Sequence, residues 1–474
     1  MSTSLETYLI EVGHYESENE RSKRSTLINN VKSLAKEWIM EMVEDNEDRK
    51  TAIKAIKQYI YPLGSYVLEV MEKDSKLDTI FIAPQFISLE DFLTLFSTKL
   101  QQYPNVKQVI AVGVCRTPQI RLILDDTELF ISFSNVPIEY LTGRKNISHP
   151  NAYEGMNFQN AISLNGYHII QDILKIIPNR QTFQIALRAI KLWAKQKGFY
   201  SRRLGIMGGT SWTILVVYIC QRFPTASPSQ LIYQFFNIYR EWSWPKPVEI
   251  KQFIGKNVYV KNLKLFDFEV SRLARDKNAL MPILTPSFPR NNSAFRITRS
   301  TKSLIVEEFQ KGFTICKEIV DRNGDWTALF EPNRFFDKYE QFIVITGNTI
   351  ENYRTQTYSV IESKIKVLTN KLDDSKTKNF IRRVQALPYS FDSTINDERR
   401  IWIIGIKTTD SIEAVANYLR PYIDDFNRTI FEKIEEIPME RNHIEIDVST
   451  IRHEELSTFL PQDAYDQLFE RYLN

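Results

Sequence analysis

The sequence has few of the side chains that build disulfide frameworks or zinc sites. Only three cysteines and five histidines are spread over 474 residues. Cys115, Cys220 and Cys316 are far apart and odd in number, which predicts reduced thiols in a reducing compartment. The histidines have no zinc-binding spacing. The composition therefore excludes a small disulfide-stapled protein and a zinc-ribbon module.

Long apolar runs and a strong excess of one charge are also missing. No run approaches the roughly 18 apolar residues of a membrane span, and the first residues lack the pattern of a signal peptide. The formal net charge of +3 is too small to indicate a nucleic-acid partner by itself. We expect a nuclear or cytoplasmic protein with no membrane partner.

The chain does contain an ordinary globular composition, with 43% hydrophobic residues, and its length predicts about two or three domains. Residues 51–60 read as a helix that continues until Pro62, 77–84 as a buried strand, and 119–134 as a hairpin. Helices dominate from about residue 150 to 336. The remainder has the order β-α-β-β-α-β, which is ferredoxin-like and is shared by RNA-recognition sheets. We predict an α+β protein with domains at 1–150, 151–336 and 337–474.

Several long strings carry a resemblance: "PLGSYVLEV", "SLNGYHI", "ALRAIKLWAKQKGFYSRRLGIMGGTSW" and "LMPILTPSFPRNNSAF". Over nearly its whole length the chain resembles eukaryotic nuclear-type poly(A) polymerases, members of the DNA polymerase β-like nucleotidyltransferase superfamily. The resemblance implies a mixed-sheet nucleotidyltransferase domain, a helical central domain and an RNA-binding (RRM-like) C-terminal domain. It also implies a nuclear role in mRNA processing, namely polyadenylation. Some members of the family carry a basic, Ser/Thr-rich tail, which we do not expect here.

The resemblance also implies a reaction. The family adds AMP from ATP to RNA 3′ ends, using two divalent ions held by three aspartates. Two of these are spaced i and i+2 on one strand, because alternate residues of a strand face the same way. The second aspartate of the pair corresponds to Asp78, the first position to Lys76, and the third to Phe130. An ammonium and a benzyl group cannot coordinate Mg²⁺ or Mn²⁺, so Asp78 is the sole matching carboxylate.

Other acidic residues could replace the missing metal ligands. Glu128 would share a strand face with Phe130 and is the first candidate. Asp74 lies in the loop before the strand. Asp125 and Asp126 are expected in the hairpin turn, where aspartate is common for conformational reasons alone. We favour the interpretation that these acids are turn and surface residues. We expect Lys76 either to pair with Asp78 or to supply positive charge in place of a metal.

The residues expected to contact ATP are better preserved than the metal ligands. Gly64 and Ser65 match the phosphate-contacting loop, although Val67 replaces a family arginine and Glu69 a family glycine. Lys191 and Lys195 share a helix face, which would suit a polyphosphate, or would form a solvated basic face. The other residues at positions that the resemblance implies for ATP contact are Asn165, Tyr200, Gly208, Gly209 and Thr210, beside Lys191 and Lys195. Thr210 stands where the family has a valine.

Three functions stay open at this stage. We favour a pseudoenzyme of the family that has lost or nearly lost catalysis and binds ATP, an RNA 3′ end, an active poly(A) polymerase or other 3′-end processing factors. The alternative is an active polynucleotide adenylyltransferase with a rebuilt metal site. A weaker alternative is an ATP sensor. The basic residues 376–383, with Arg399 and Arg400, would either follow RNA phosphates or form a solvated face.

Overall fold

The computed structural model describes most of the chain between residues 2 and 460. The residues outside the description are 1, 74, 114, 116, 202–203, 251–266, 270, 272, 323, 375–376, 378, 393–398, 410–411, 436–443 and 461–474. No helix of the described residues is long and apolar enough to cross a membrane.

The first part of the chain forms a five-stranded mixed sheet with the strand order β1-β2-β5-β4-β3. Strands β2 and β5 pair in parallel, while the other neighbours pair antiparallel. The strands are β1 (Ile60–Pro62), β2 (Leu77–Pro84), β3 (Val106–Val112), β4 (Gln119–Leu124) and β5 (Thr127–Val136). The helices are α1 (Ser2–Glu11), α2 (Glu18–Glu41), α3 (Glu47–Lys54), α4 (Gly64–Val67), α5 (Leu89–Asp91), α6 (Ser97–Gln101) and α7 (Ile138–Leu141), with a π-helical turn at Phe92–Phe96 between α5 and α6.

The predicted strand and hairpin in this sheet are confirmed. Strand β2 is buried at every residue except Asp78, and its Phe81 packs against Trp38 of α2 and Phe133 of β5. Asp125 and Asp126 form the two-residue turn between β4 and β5, and both have positive φ angles, 47° and 63°, as a type I′ hairpin requires. The predicted helix over 51–60 is wrong beyond Lys54. Ile60 instead pairs with Phe81, because the β1–β2 ladder outweighs helical periodicity.

A helical region follows. Its helices are α8 (Phe158–Ile176), α9 (Arg180–Gln196), α10 (Gly209–Arg222), α11 (Pro228–Arg240), α12 (Ala274–Lys277), α13 (Arg299–Arg322) and α14 (Thr327–Phe330), with a short 3₁₀ turn at Pro150–Tyr153 before α8. Trp193 of α9, Trp212 of α10 and Phe309 of α13 pack against one another at its centre. Helix α1 also contributes to this core, through Leu5 and Leu9. The boundaries at 150 and 336 stay predictions.

The C-terminal part forms a second sheet with the order β10-β6-β9-β7, all antiparallel. Its elements are β6 (Gln341–Thr349), α15 (Glu351–Leu372), β7 (Ile381–Ala386), β8 (Phe391–Asp392), β9 (Arg399–Thr408), α16 (Ile412–Ile434) and β10 (Ile444–Arg452), with 3₁₀ turns at Phe336–Lys338 and His453–Thr458. Apart from the short extra strand β8, this is the predicted β-α-β-β-α-β order. The prediction of an α+β fold with a central helical region is confirmed.

Candidate functional site

Three residues lie side by side across the first sheet, at the edge where β2 and β5 begin. Asp78 of β2 pairs with Phe130 of β5, and Phe130 pairs with Arg121 of β4. The Arg121 guanidinium carbon lies 5.7 Å from the centroid of the Phe130 ring. Asp78 is solvent-exposed. An aromatic ring therefore separates the carboxylate from a cation in this row.

The residue before β2 makes a second pair next to that row. Lys76 Nζ lies 2.5 Å from Glu128 Oε2, and 5.2 Å from the centroid of the Phe130 ring. The Lys76 side chain is 51% exposed and the Glu128 side chain 35%. The structure thus places Glu128 against the Lys76 ammonium, where the sequence analysis offered Asp78 as the partner. Glu128, the candidate replacement ligand, is engaged by a cation.

The donor set at this edge does not fit a pair of divalent ions. Within the described ranges, no group of three or more His, Cys, Asp or Glu side chains is placed to hold a metal. Asp74 lies outside the described residues. Asp125 and Asp126 stand in the hairpin turn, and Asp126 pairs with Lys107. Mg²⁺ requires several oxygen ligands in near-octahedral geometry. The Asp78 carboxylate, with the Glu128 carboxylate paired to Lys76, does not supply them.

The Gly64–Ser65 loop packs directly against Asp78. Gly64 has φ +57°, and a Cβ atom there would lie 3.4 Å from Asp78 Oδ2. The backbone N–H of Leu63 donates to the Asp78 carbonyl at 2.7 Å. The Ser65 hydroxyl donates to the Met71 sulfur at 2.9 Å, within its own loop. The structure therefore brings the predicted loop and Asp78 together, with the Ser65 hydroxyl already engaged.

One face of α9 contacts the main chain of residues 67–71, which continue the loop that begins at Gly64. The polar residues on this face are spaced four, four, three and four residues apart, which is the repeat of one helix face. Their side chains reach the successive carbonyls of residues 67–71 and the carboxylate of Glu72. These residues are Arg180, Gln184, Arg188, Lys191 and Lys195. From the opposite side, Arg24 of α2 donates to the carbonyls of Glu72, at 2.9 Å, and Lys73.

Glu69, at a family glycine position, keeps a glycine-like backbone. Its φ is 58°, in the left-handed region that L-residues seldom adopt. Arg188 donates to the Glu69 carbonyl at 2.7 Å, and Gln184 donates to the Glu69 carboxylate at 2.9 Å. These contacts stabilise the strained conformation. Glu69 thus holds a backbone conformation that favours glycine although it carries a charged side chain.

The two lysines expected to contact ATP both bind Glu72. Lys191 Nζ lies 2.7 Å from Glu72 Oε1, and Lys195 contacts Glu72 Oε2. Lys191, which is buried, also donates to the Val70 carbonyl at 3.0 Å. His14 Nε2 is 3.8 Å from Glu72 Oε1. The prediction that both lysines share a helix face is confirmed, but the face is neither free nor fully solvated.

The charges of this cluster shift its titration. Burial raises the pKa of Glu72, but the Lys191 ammonium, with His14 and Lys195, outweighs burial and holds the pKa to about 2. Burial lowers the pKa of His14 to about 4, against the opposing effect of Glu72. At neutral pH the cluster therefore holds an ionised Glu72 beside a neutral His14.

Tyr200 links this cluster to the start of α10. The Lys195 ammonium lies 5.4 Å from the Tyr200 ring centroid. A Cβ atom at Gly209 would lie 2.7 Å from the Tyr200 hydroxyl, so only glycine permits this approach. Burial raises the pKa of Tyr200, and the charges of Glu72 and Asp78 raise it further. Gly208 is the N-cap residue of α10, and Thr210 is exposed in its first turn.

Asn165 of α8 contacts a different segment from the other predicted ATP contacts. Its amide donates to the Pro289 carbonyl at 2.8 Å. Its Oδ1 is buried and has no hydrogen-bond partner in the part of the chain that the structure describes. The structure therefore groups Gly64 with Asp78, and Lys191 and Lys195 with Tyr200 and Gly209, while Asn165 is held by the loop at Pro289.

Much of the basic stretch proposed for RNA is paired within the chain. Arg383 pairs with Glu307 of α13, and Arg400 Nε lies 2.6 Å from Asp392 Oδ1. Arg382 is exposed. Residues 376 and 378 of the predicted patch lie outside the described residues.

Sequence reasoning missed Glu72, Arg121 and Arg188. The polar repeat along α9 was a signal for Arg188, since a mostly buried helix keeps polar residues on one face only where they have partners. Arg121 follows from the hairpin register, which the confirmed β4–β5 turn sets.

Comparisons with known proteins agree with this architecture. The poly(A) polymerase nucleotidyltransferase domain model matches residues 1–177, and the poly(A) polymerase central domain model matches residues 182–332. The fold and these matches define a nucleotidyltransferase sheet joined to a helical central region.

Curated relatives point the same way. A poly(A) polymerase of Dictyostelium discoideum is 30% identical over 399 residues, covering 84% of this chain and 48% of that protein. Nuclear poly(A) polymerase 2 of Arabidopsis thaliana is 26% identical over 97% of this chain and 57% of its own length. The chain thus spans about half the length of these relatives. The chain belongs to the poly(A) polymerase family.

Among solved structures, a cytoplasmic RNA terminal U-transferase is 14% identical, with a TM-score of 0.46, covering 70% of this chain and 99% of that one.

Proposed function

We propose that this member of the poly(A) polymerase family is catalytically inactive or severely impaired, and that it acts by binding RNA 3′ ends or the proteins that process them. One observation supports the proposal above all others. The two positions that should complete the metal site with Asp78 hold the Phe130 ring and a lysine paired with Glu128.

The electrostatics of this arrangement oppose a metal. Two unit charges ~4 Å apart interact by about 4 kcal/mol at an effective dielectric of 20, so an ammonium would oppose a divalent ion by roughly twice that. Lys76 and Arg121 place two cations around Phe130. Catalysis by two metal ions needs both ions within about 4 Å of each other, held by shared carboxylates. The described residues offer no such set.

The proposal assigns the binding role to RNA or protein rather than to ATP. Lys191 and Lys195, the cations expected to hold the phosphates of ATP, are both bound to Glu72. An RNA 3′ end as ligand is supported by the family and by the names of its curated relatives, and 3′-end processing proteins are the second class of partner that we propose. The nuclear relatives favour a nuclear location, with the cytoplasm as the alternative.

A primer-extension assay tests the loss of catalysis. Purified chain, ATP and an oligo(A) primer are incubated with Mg²⁺ or with Mn²⁺, and the Dictyostelium discoideum poly(A) polymerase serves as positive control. We expect no extension by this chain. Extension that Asp78→Ala abolishes and Glu128→Gln lowers would instead establish the alternative, an active adenylyltransferase with a rebuilt metal site.

Binding is measured separately, by fluorescence anisotropy with labelled oligo(A) at two salt concentrations. We expect binding that weakens with salt and that Arg382→Glu reduces, because phosphate contacts release counterions. Arg428→Glu, at an exposed arginine of α16 that pairs with Asp425, is the charge-matched control. An absence of RNA binding would leave a protein partner as the ligand, to be tested with an active poly(A) polymerase.

A further inference from the structure

We infer that Glu72 determines the ligand specificity of the cationic pocket on α9: its carboxylate occupies the position of a phosphate group and excludes nucleoside polyphosphates. The pocket is defined by Lys191, Lys195, His14 and Tyr200. The inference rests on the proposed function, which assigns the binding role of the chain to RNA or protein rather than to ATP.

The geometry of the carboxylate supports this role. Each of its oxygens is taken by a different lysine, Oε1 by Lys191 at 2.7 Å and Oε2 by Lys195. This bridging arrangement is how two ammonium groups would hold one phosphate. The Glu72 side chain is 13% exposed and the Lys191 side chain 6%, so this ion pair is poorly screened by water, whereas the Lys195 side chain is 42% exposed.

The remaining charge of the pocket is low. His14, with its pKa held at about 4 by burial, is neutral near pH 7. Two ammonium groups and one carboxylate leave a net charge of about +1, where an empty pair of lysines would present +2. A triphosphate, which carries several negative charges, would meet an ionised carboxylate at the centre of the pocket. Its binding is therefore opposed by like-charge repulsion.

The backbone of Glu72 is fixed, so the carboxylate cannot easily leave. Its carbonyl accepts from Arg24 at 2.9 Å, and its backbone N–H donates to the Ser75 hydroxyl at 3.1 Å. The preceding carbonyl, of Met71, accepts from Arg188 at 2.8 Å. A tethered group of this kind competes at a high effective concentration, on the order of millimolar or above. A free anion must displace the side chain against these constraints.

The test compares tripolyphosphate and ATP binding by calorimetry, in EDTA, for the wild-type chain and Glu72→Gln. The amide keeps the shape and removes the charge. We expect no binding by the wild type up to millimolar ligand, and tripolyphosphate binding at least about tenfold tighter in Glu72→Gln. Glu69→Gln, in the same loop but paired with Arg180 and Gln184, is the matched control and should bind no better than wild type.

A second variant tests whether the tripolyphosphate bound by Glu72→Gln contacts Lys195. Adding Lys195→Met to Glu72→Gln should remove most of the gained affinity. Tripolyphosphate binding by the wild type would overturn the inference even if Glu72→Gln fails to fold, and so would the lack of any gain in a folded Glu72→Gln. ATP binding by the wild type without primer extension would sink this inference and the choice of RNA or protein over ATP as ligand, and would leave the proposed loss of catalysis intact. Extension of a primer would contradict the proposed function itself.

Discussion

Asp78 and Phe130 lie directly opposite each other on the parallel strands β2 and β5. The relationship is one of register: a carboxylate at position 130 would face Asp78 across the ladder, as shared coordination of two ions demands. The backbone that would support a metal site is thus present, while its side chain is apolar. Because the backbone is in place, the site can be tested by introducing carboxylates at positions 76 and 130.

We expect the double variant Lys76→Asp, Phe130→Asp to bind Mn²⁺ where the wild type does not. The change places three aspartates at one edge of the sheet, next to Glu128, and removes the ammonium that opposes a cation. Electron paramagnetic resonance of free Mn²⁺ measures the uptake directly. The control, Lys107→Asp with Phe130→Asp, changes the net charge equally but adds only one carboxylate to the row. Equal uptake by both variants would show that position 76 does not contribute.

The α9 contacts with the loop should differ sharply in their contribution to stability. Arg188 is buried and donates to the carbonyls of His14, Glu69 and Met71. Arg188→Met leaves these carbonyls without their donor and should lower the free energy of unfolding by about 2–4 kcal/mol. Arg180→Met, at an exposed arginine of the same helix, should cost below about 1 kcal/mol. Urea denaturation measures both, and similar losses would contradict this ranking.

The positive φ of Glu69 predicts an unusual order of stability. Alanine and glycine both remove the contacts of the Glu69 side chain with Gln184 and Arg180. Only glycine adopts the left-handed conformation without strain, so Glu69→Gly should be more stable than Glu69→Ala by about 1 kcal/mol. Thermal unfolding of the two variants compares them. An alanine variant as stable as the glycine variant would mean that the backbone relaxes at this position.

The Glu72 cluster predicts a specific pH dependence. The folded pKa of Glu72, about 2, lies below its ordinary value of 4.5, so the unfolded chain binds the proton first as pH falls. The stabilisation is therefore complete above about pH 4.5 and is lost as pH falls toward about 2, with an upper size of about 3 kcal/mol. The difference in unfolding free energy between wild type and Glu72→Gln should thus shrink between pH 5 and pH 3.

His14 also titrates in this range and helps to lower the pKa of Glu72, so the comparison is repeated with His14→Gln in both proteins, where the same change with pH should be smaller. The folded pKa of His14, about 4, is below its ordinary 6.5, and the unfolded chain again takes up the proton first. Its own loss of stability therefore begins as pH falls below about 6.5. A difference between the two proteins that stays constant from pH 7 to pH 3 would show that Glu72 is not preferentially ionised in the folded state.

The fold followed from the sequence wherever local patterns and long-range pairing agreed. Strand β2 was bounded correctly because the apolar run at residues 80–83 is buried on both faces and Pro84 ends it. The helix predicted over 51–60 failed because Ile60 gains more from pairing with Phe81 than from helical hydrogen bonds. Periodicity reports which face is apolar, and it does not report competition from a strand distant in the sequence.

The candidate site was predictable only in part. The residue types at positions 76 and 130, a lysine and a phenylalanine, were enough to predict that these positions do not bind metal. The partner of Lys76 could not be predicted, because Glu128 is distant in the sequence and the pairing depends on the β2–β5 register. The occupation of Lys191 and Lys195 by Glu72 likewise depends on where the loop folds back onto α9. Charge pairing between distant segments is fixed by tertiary structure.

The hydrogen bonds from α9 to residues 67–71 bear on which substitutions this segment tolerates. Side chains of α9 donate to backbone carbonyl oxygens, and every amino acid carries such an oxygen. Substitutions along residues 67–71 that keep the backbone conformation therefore leave these hydrogen bonds in place. The attachment of this segment to α9 thus depends more on the path of its backbone than on the side chains it carries.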